Sequence, residues 1–232
     1  MSDQHRSLRV PVPEGVQGDV SARLDHPSSP RALLALAHGA GAGMHHPFME
    51  GVAIRLVRRG IAVLRYQFPY MESGGRRPDR PNVATATVGA VKERAIALTD
   101  EAGPLAGLPV FMGGKSFGGR MTSQAAAEGR LSGIRGVVFL GFPLHPPGRP
   151  GTERAAHLAD VPQPMLFLQG TRDVFAGLEL LLPVVRGLDE RAVLHLVDGA
   201  DHGFHVLKRS GRDDSDVLDE LSDEIAAWIG ER

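Results

Sequence analysis

The chain has 232 residues, 42% of them hydrophobic and 23% charged, which is enough for one large domain with a buried core. A formal net charge of −1 excludes any general attraction to nucleic acid or to an anionic membrane, and the absence of cysteine excludes disulfides, thiolate catalysis and Cys-ligated metal. Residues 1–30 are polar, and no apolar run approaches the ~20 residues of a membrane span, so the expectation is a soluble, cytoplasmic protein.

In chain order, Leu8–Val12 and Val20–Leu24 read as an opening hairpin with polar edges. Ala32–Ala37 is continuously apolar, as a strand buried on both faces should be, and leads into the loop His38-Gly39-Ala40-Gly41-Ala42-Gly43. Phe48–Arg59 predicts a helix closed by Gly60 as a left-handed cap, and Ile61–Tyr66 is the next strand. Val83, Thr87, Ala90, Val91, Ala95 and Leu98 share one face of a helix that ends near Gly103-Pro104.

Leu108–Met112 is a strand, and a helix covers Thr122–Glu128. Gly136–Leu140 is a strand, followed by a proline-rich loop over Pro143–Pro150 and a short helix over Glu153–Leu158. Met165–Gln169 predicts a strand, Ala176–Leu188 a helix interrupted near Pro183, and Val193–Val197 the last strand. Val217, Leu218, Leu221, Ile225, Trp228 and Ile229 mark an amphipathic C-terminal helix, with Gly230 just past its end. Short apolar runs alternating with amphipathic segments give an α/β class: one domain over 1–232, a mostly parallel twisted sheet with helices on both faces.

Between the run at 108–112 and the following helix stands Gly114-Lys115-Ser116-Phe117-Gly118. A G-x-S-x-G at a strand-to-helix junction is a nucleophile elbow: glycines let strand and helix approach, and a strained turn lifts the serine hydroxyl clear of the sheet. A serine nucleophile needs a base, and the base needs an acid to orient it, in the chain order Ser, Asp or Glu, His. Asp173 follows the strand 165–169 and His202 follows the strand 193–197, so Ser116, Asp173 and His202 are the candidate catalytic set. The backbone N–H groups of Phe117 and of Ala40, in the glycine-rich loop, are the expected oxyanion donors.

Bland readings compete at each of these positions. Asp173 would also cap the helix that follows it, Asp198 and Asp201 stand in reserve as acids, and His205 is the local rival to His202 as base. His38, His45 and His46 lack an accompanying carboxylate at ligand spacing, so neither a metal nor another cofactor is expected. His38 and Phe142 are candidate substrate-binding residues, with Phe68 and Tyr70 as further candidates for an acyl pocket, although burial would explain the aromatics equally well. Arg77 and Arg80, with Arg76, Lys115 and Arg120, would favour an anionic substrate if they faced the crevice; otherwise Arg77 and Arg80 would hold loop carbonyls and the carboxylates of Glu72 and Asp79.

The segments HGAGAGMHHPFM (38–49), FPYMESGGRRPDRP (68–81), GGKSFGGR (113–120), GFPLHPPGRP (141–150), LQGTRDVF (168–175) and DGADHGFHV (198–206) together resemble the small, lidless α/β-hydrolases of the dienelactone-hydrolase-like group. Within it, the chain is most similar to the family of testis-expressed hydrolase-like proteins and a subunit of a nuclear acetyltransferase complex. Many of its members carry Arg where Lys115 stands. The resemblance implies the α/β-hydrolase fold with minimal or no lid, and a serine hydrolase acting on an ester or related acyl bond of a small-molecule substrate. It leaves open a binding or scaffold protein that keeps the fold, or transfer of the acyl group to an acceptor other than water. Oligomeric state and substrate identity are not set by these residues.

Overall fold

A computed structural model describes residues 4–13, 18–146 and 148–232; Pro147 of the proline-rich loop lies outside them. The strands are β1 (Gln4–Val10), β2 (Val20–His26), β3 (Ala32–Ala37), β4 (Ile61–Tyr66), β5 (Val110–Lys115), β6 (Val137–Leu140), β7 (Met165–Gly170) and β8 (Ala192–Val197). The helices are α1 (Pro47–Arg58), the single turn α2 (Pro69–Glu72), α3 (Pro81–Asp100), α4 (Phe117–Ala127), α5 (Leu178–Arg186) and α6 (Asp214–Gly230). They build one eight-stranded sheet in the order β1-β2-β4-β3-β5-β6-β7-β8. β2 runs antiparallel to both its neighbours, and every pairing from β4 to β8 is parallel.

β3 illustrates why a doubly covered strand can be apolar throughout. All six of its side chains are buried: Leu33, Ala35 and Ala37 enter the core under α3 and α4, while Ala32, Leu34 and Leu36 enter the core under α1 and α6. A strand with helices on both faces has no solvent side, so the period of two disappears from its sequence. At about 25 cal/mol per Å2 of apolar surface, such doubly covered strands supply most of the sheet's cohesion.

Several expected boundaries move. α4 begins at Phe117, directly after the elbow, so the expected Thr122–Glu128 stretch continues a helix already under way and ends one residue early, and α3 starts at Pro81 because proline fits the first helical position. Gly230 closes α6 from inside it, where a Cβ would approach Arg31 Nη1 to 2.7 Å. Residues 153–160 form a 3-10 stretch packed against α4, and it is the only regular element described between β6 and β7, where a helical lid could be inserted. Among the described residues, no helix is long and apolar enough to cross a membrane.

Candidate active site

The elbow is as tight as its glycines require. A Cβ on Gly114 would lie 2.6 Å from the Gly118 carbonyl carbon, and one on Gly118 would lie 2.6 Å from the His38 carbonyl oxygen. Neither position accepts a side chain, which is how β5, α4 and the loop after β3 come together. Ser116 adopts φ 49° and ψ −111°, a conformation costing on the order of 1–3 kcal/mol for a residue with a Cβ. Its side chain does not cap α4 and is left to face the site.

Ser116 Oγ lies 2.8 Å from His202 Nε2, and His202 Nδ1 lies 2.7 Å from Asp173 Oδ2. The three side chains come from the carboxyl ends of β5, β8 and β7. Asp173 is 4% exposed, and its charge is spread over further donors: Gln169 Nε2 donates to Oδ2 at 2.5 Å and the Phe175 N–H to Oδ1 at 2.8 Å. Gln169 Oε1 in turn accepts from the Phe142 N–H at 2.9 Å. The Phe175 ring packs on the imidazole of His202 at 4.3 Å. Asp201 accepts from the N–H groups of Gly203 and His205 and so builds the turn that carries His202. His205 faces away and pairs with Asp214, while Asp198 accepts from the Thr171 hydroxyl. Only Asp173, of the acids considered, reaches His202.

A cavity of about 310 Å3 opens over Ser116, lined by Gly39, Ala40, Ala42, Phe48, Met49 and Phe175, with His46, Lys115, His202 and Gly203 completing the wall. Among the described residues, no protein acceptor takes the N–H of Phe117, which follows the serine in the chain, or of Ala40, which lines the same cavity. His38 is fully buried one layer behind. Its Nδ1 bonds the Gly39 carbonyl at 2.8 Å and its Nε2 accepts from the Phe68 N–H at 3.1 Å, which fixes the Nδ1–H tautomer. Burial lowers its pKa to about 4, so it is neutral at pH 7. Tyr70 supports the same loop, its hydroxyl accepting from the Gly41 N–H at 2.9 Å.

Four expected binding residues are therefore elsewhere. His38 is a loop support with both ring nitrogens occupied. Phe142 is 1% exposed and packs among Phe139, Phe167 and His157, not in the cavity. Arg77 and Arg80 are exposed and do not line the cavity. Nor do they hold the loop carboxylates: Glu72 pairs with Arg9 and Ser21 across to β1 and β2, and Asp79 accepts from the Tyr70 N–H. The chain turns at Gly74, at φ 73°, and Arg76, Arg77 and Arg80 beyond it are exposed.

Gln169 is not foreseen; Lys115, expected only as a cation beside the crevice, does line the cavity but is engaged with the His202 loop. Lys115 Nζ donates to the His202 carbonyl at 2.5 Å, and burial lowers its pKa to about 8. His45 meets Glu50 and His46 caps α1, and among the described residues no group of three or more His, Asp or Glu side chains is arranged to hold a metal ion.

A family model described as an alpha/beta hydrolase domain matches residues 30–230. Among solved structures, the dienelactone hydrolase of Anabaena variabilis superposes with a TM-score of 0.76 at 20% identity, covering 99% of this chain and 98% of that one. A serine hydrolase without a lid from Xanthomonas campestris gives 0.73 at 20% identity over 97% and 95%. The esterase domain of a Rhodothermus marinus protein gives 0.69 at 18% identity over 97% of each. These likenesses show a shared fold. A Mycobacterium tuberculosis protein named "Putative phosphoribosyl transferase" is 31% identical over 191 residues, which are 80% of this chain, and the chain spans only 39% of that relative's length.

Proposed function

This chain belongs to the alpha/beta hydrolase domain family, and from that premise we propose that it is a serine hydrolase cleaving an ester or related acyl bond of a small soluble substrate. The observation that carries the reading is the unbroken hydrogen-bond chain from Ser116 Oγ through both nitrogens of His202 to the buried Asp173. In this reading Ser116 Oγ attacks the substrate carbonyl carbon while His202 Nε2 takes its proton. Asp173 holds the imidazole with Nδ1 protonated and stabilises the imidazolium that forms. The N–H groups of Phe117 and Ala40 stabilise the oxygen that becomes negative. Collapse breaks the carbon–oxygen bond, His202 returns the proton to the departing alcohol, and an acyl-Ser116 ester remains. Water then repeats the sequence, with His202 as base, and releases the acid and free Ser116.

The cavity supports this substrate class: its walls are largely apolar, and Lys115 is the one Lys or Arg among its lining residues. Phosphoribosyl transfer, named for relatives more than twice as long, would call for a cradle for diphosphate that this wall does not resemble. The narrower kinship to the testis-expressed hydrolase-like proteins rests on the motifs at 38–49, 113–120 and 198–206. A fluorophosphonate probe is the direct test: it should label the protein covalently at Ser116, with labelling abolished in Ser116→Ala. Equal labelling of both proteins, or none of the wild type, would leave a scaffold that has kept the fold.

A further inference from the structure

The proposed reaction leaves Lys115 without a part, although it adjoins the nucleophile and lines the same cavity. Its Nζ donates to the main-chain carbonyl of His202 at 2.5 Å. The rings of Phe48 and Phe204, stacked 5.6 Å apart, lie 5.9 and 5.3 Å from that nitrogen. On the other side is Gly141, at φ 70°, where a Cβ would come within 3.1 Å of Nζ, 3.5 Å of His202 Nδ1 and 3.6 Å of Asp173 Oδ2. A Cβ there would crowd Nζ while meeting the other two atoms at ordinary contact distance, and the left-handed φ itself favours glycine. Among the described residues, no carboxylate lies within ion-pair distance of Nζ. Enclosing an ammonium without a paired anion costs free energy, which the carbonyl bond and the aromatic faces only partly offset.

Topology supplies the reason for such an arrangement. Ser116 follows β5 and His202 follows β8, and β6 and β7 lie between them in the sheet. No strand pairing connects the elbow to the histidine loop. Resting on the serine-hydrolase reading above, we propose that Lys115 is a positioning residue: it straps the His202 loop to the nucleophile elbow across two strands and keeps the imidazole within reach of Ser116 Oγ. The charged groups facing it are Asp173 from the loop after β7 and Asp201 from the loop after β8, and the titratable His202 adjoins it through its main-chain carbonyl. Asp173 and Asp201 favour its protonated form, and burial outweighs them, bringing its pKa to about 8. The strap is therefore charged and strongest below that pH, and loses strength as pH rises through it, because a neutral amine is a weaker donor.

The test compares the wild type, Lys115→Met and Lys115→Arg, reading kcat and KM on a neutral short-chain ester and the low-field proton resonance of His202 Nδ1–H. In Lys115→Met, kcat should fall roughly 10- to 100-fold, the cost of a small misplacement of a reacting group, with little change in KM. The low-field resonance should broaden or vanish, and Lys115→Arg, which keeps a cationic donor, should retain more of both. In the wild type, kcat and the resonance should decline together above a pH of about 8, a limb absent from Lys115→Met. That wild-type titration stands even if the methionine variant does not fold. An unchanged kcat and resonance in Lys115→Met overturn the proposal, as does a loss confined to KM for anionic esters, which would make Lys115 a substrate contact. A wild type that shows the resonance and loses it above that pH, yet takes up no fluorophosphonate, upholds the strap and sinks the hydrolase reading instead.

Discussion

Gln169 donates through Nε2 to the same carboxylate oxygen of Asp173 that meets His202 Nδ1, so the amide and the imidazole share one acceptor. Its own Oε1 is held by the Phe142 N–H, and the side chain is fully buried at the end of β7. The amide therefore has one available orientation, and the carboxylate is locked before His202 reaches it. Gln169→Leu would leave a buried carboxylate short of one donor and a buried N–H short of its acceptor. Each unsatisfied group costs about 1–3 kcal/mol. Gln169→Leu should lower the melting temperature measurably and reduce kcat about tenfold or more, the second effect following from a mobile Asp173. Normal kcat in a merely less stable Gln169→Leu would show that Asp173 holds His202 unaided.

The strain at Ser116 separates chemistry from stability. A glycine accepts φ 49° and ψ −111° without the penalty of a Cβ, whereas alanine keeps that penalty. Both Ser116→Gly and Ser116→Ala should abolish fluorophosphonate labelling. Ser116→Gly should nevertheless unfold at a higher denaturant midpoint than Ser116→Ala, its unfolding free energy larger by roughly 0.5–2 kcal/mol once glycine's greater freedom in the unfolded chain is deducted from the relieved strain. Equal midpoints would mean that the surrounding loops relax around the serine.

How far the sequence discloses this site depends on whether a property is local. The elbow is local: glycines at 114 and 118 and the apolar run before them imply the junction, and the order of Ser116, Asp173 and His202 along the chain anticipates their meeting. β3 is legible because it is apolar throughout, and β4 because only Arg65, buried against Asp25 and the Met44 carbonyl, interrupts its apolar run. Gln169 is not legible, since a glutamine at the end of a strand looks like a solvated edge until Asp173 and Phe142 fold over it. Lys115 is half legible. Its place beside the nucleophile is evident, but its direction depends on Phe204 and His202, nearly 90 residues later. Phe142 shows the opposite failure: an aromatic after a strand suggests a pocket wall, yet the wall is made by Phe48 and Phe175, which arrive from α1 and from the turn after Asp173. The arginines at 77 and 80 read as a charged crevice only while the turn at Gly74 remains unseen.

Stability should fall on mild acidification, at a higher pH than that at which the lowered carboxylates titrate. Burial depresses His38 from 6.5 to about 4, and His157, bonded to Ser123, behaves alike. The unfolded chain binds these protons near pH 6.5 and the folded chain resists them until about pH 4. The stability that the neutral rings allow is therefore complete above pH 6.5 and is lost progressively below it. Glu72, Asp214 and Glu220 have lowered pKa values, and their contribution is lost only as pH falls below the ordinary carboxylate range. His205, raised by Asp214, opposes the trend, but the pair is exposed and weak. Urea unfolding at pH 6.5 and pH 5 should differ by about 1–2 kcal/mol for His38 alone. A flat profile across that interval would mean that His38 takes a proton within the folded loop.

Acyl-chain preference follows from what covers the cavity. The segment from Gly141 to Pro164 contributes one 3-10 stretch packed on α4, and none of its described residues lines the wall. The apolar wall consists of Ala42, Phe48, Met49 and Phe175, enclosing about 310 Å3 that includes the space for the carbonyl and the leaving group. A chain of two to four carbons can lie against those side chains, and each buried CH2 contributes about 0.8 kcal/mol, close to a fourfold gain in kcat/KM. Beyond that length the added methylenes emerge into water, where they contribute nothing and must be ordered against a surface that does not hold them. In a series from acetyl to decanoyl esters of one alcohol, kcat/KM should rise to about butyryl and then level or fall. A steady climb through octanoyl would require the Phe48 and Phe204 stack to part and admit the chain, and Phe204→Ala should then extend the climb while leaving acetyl turnover in place.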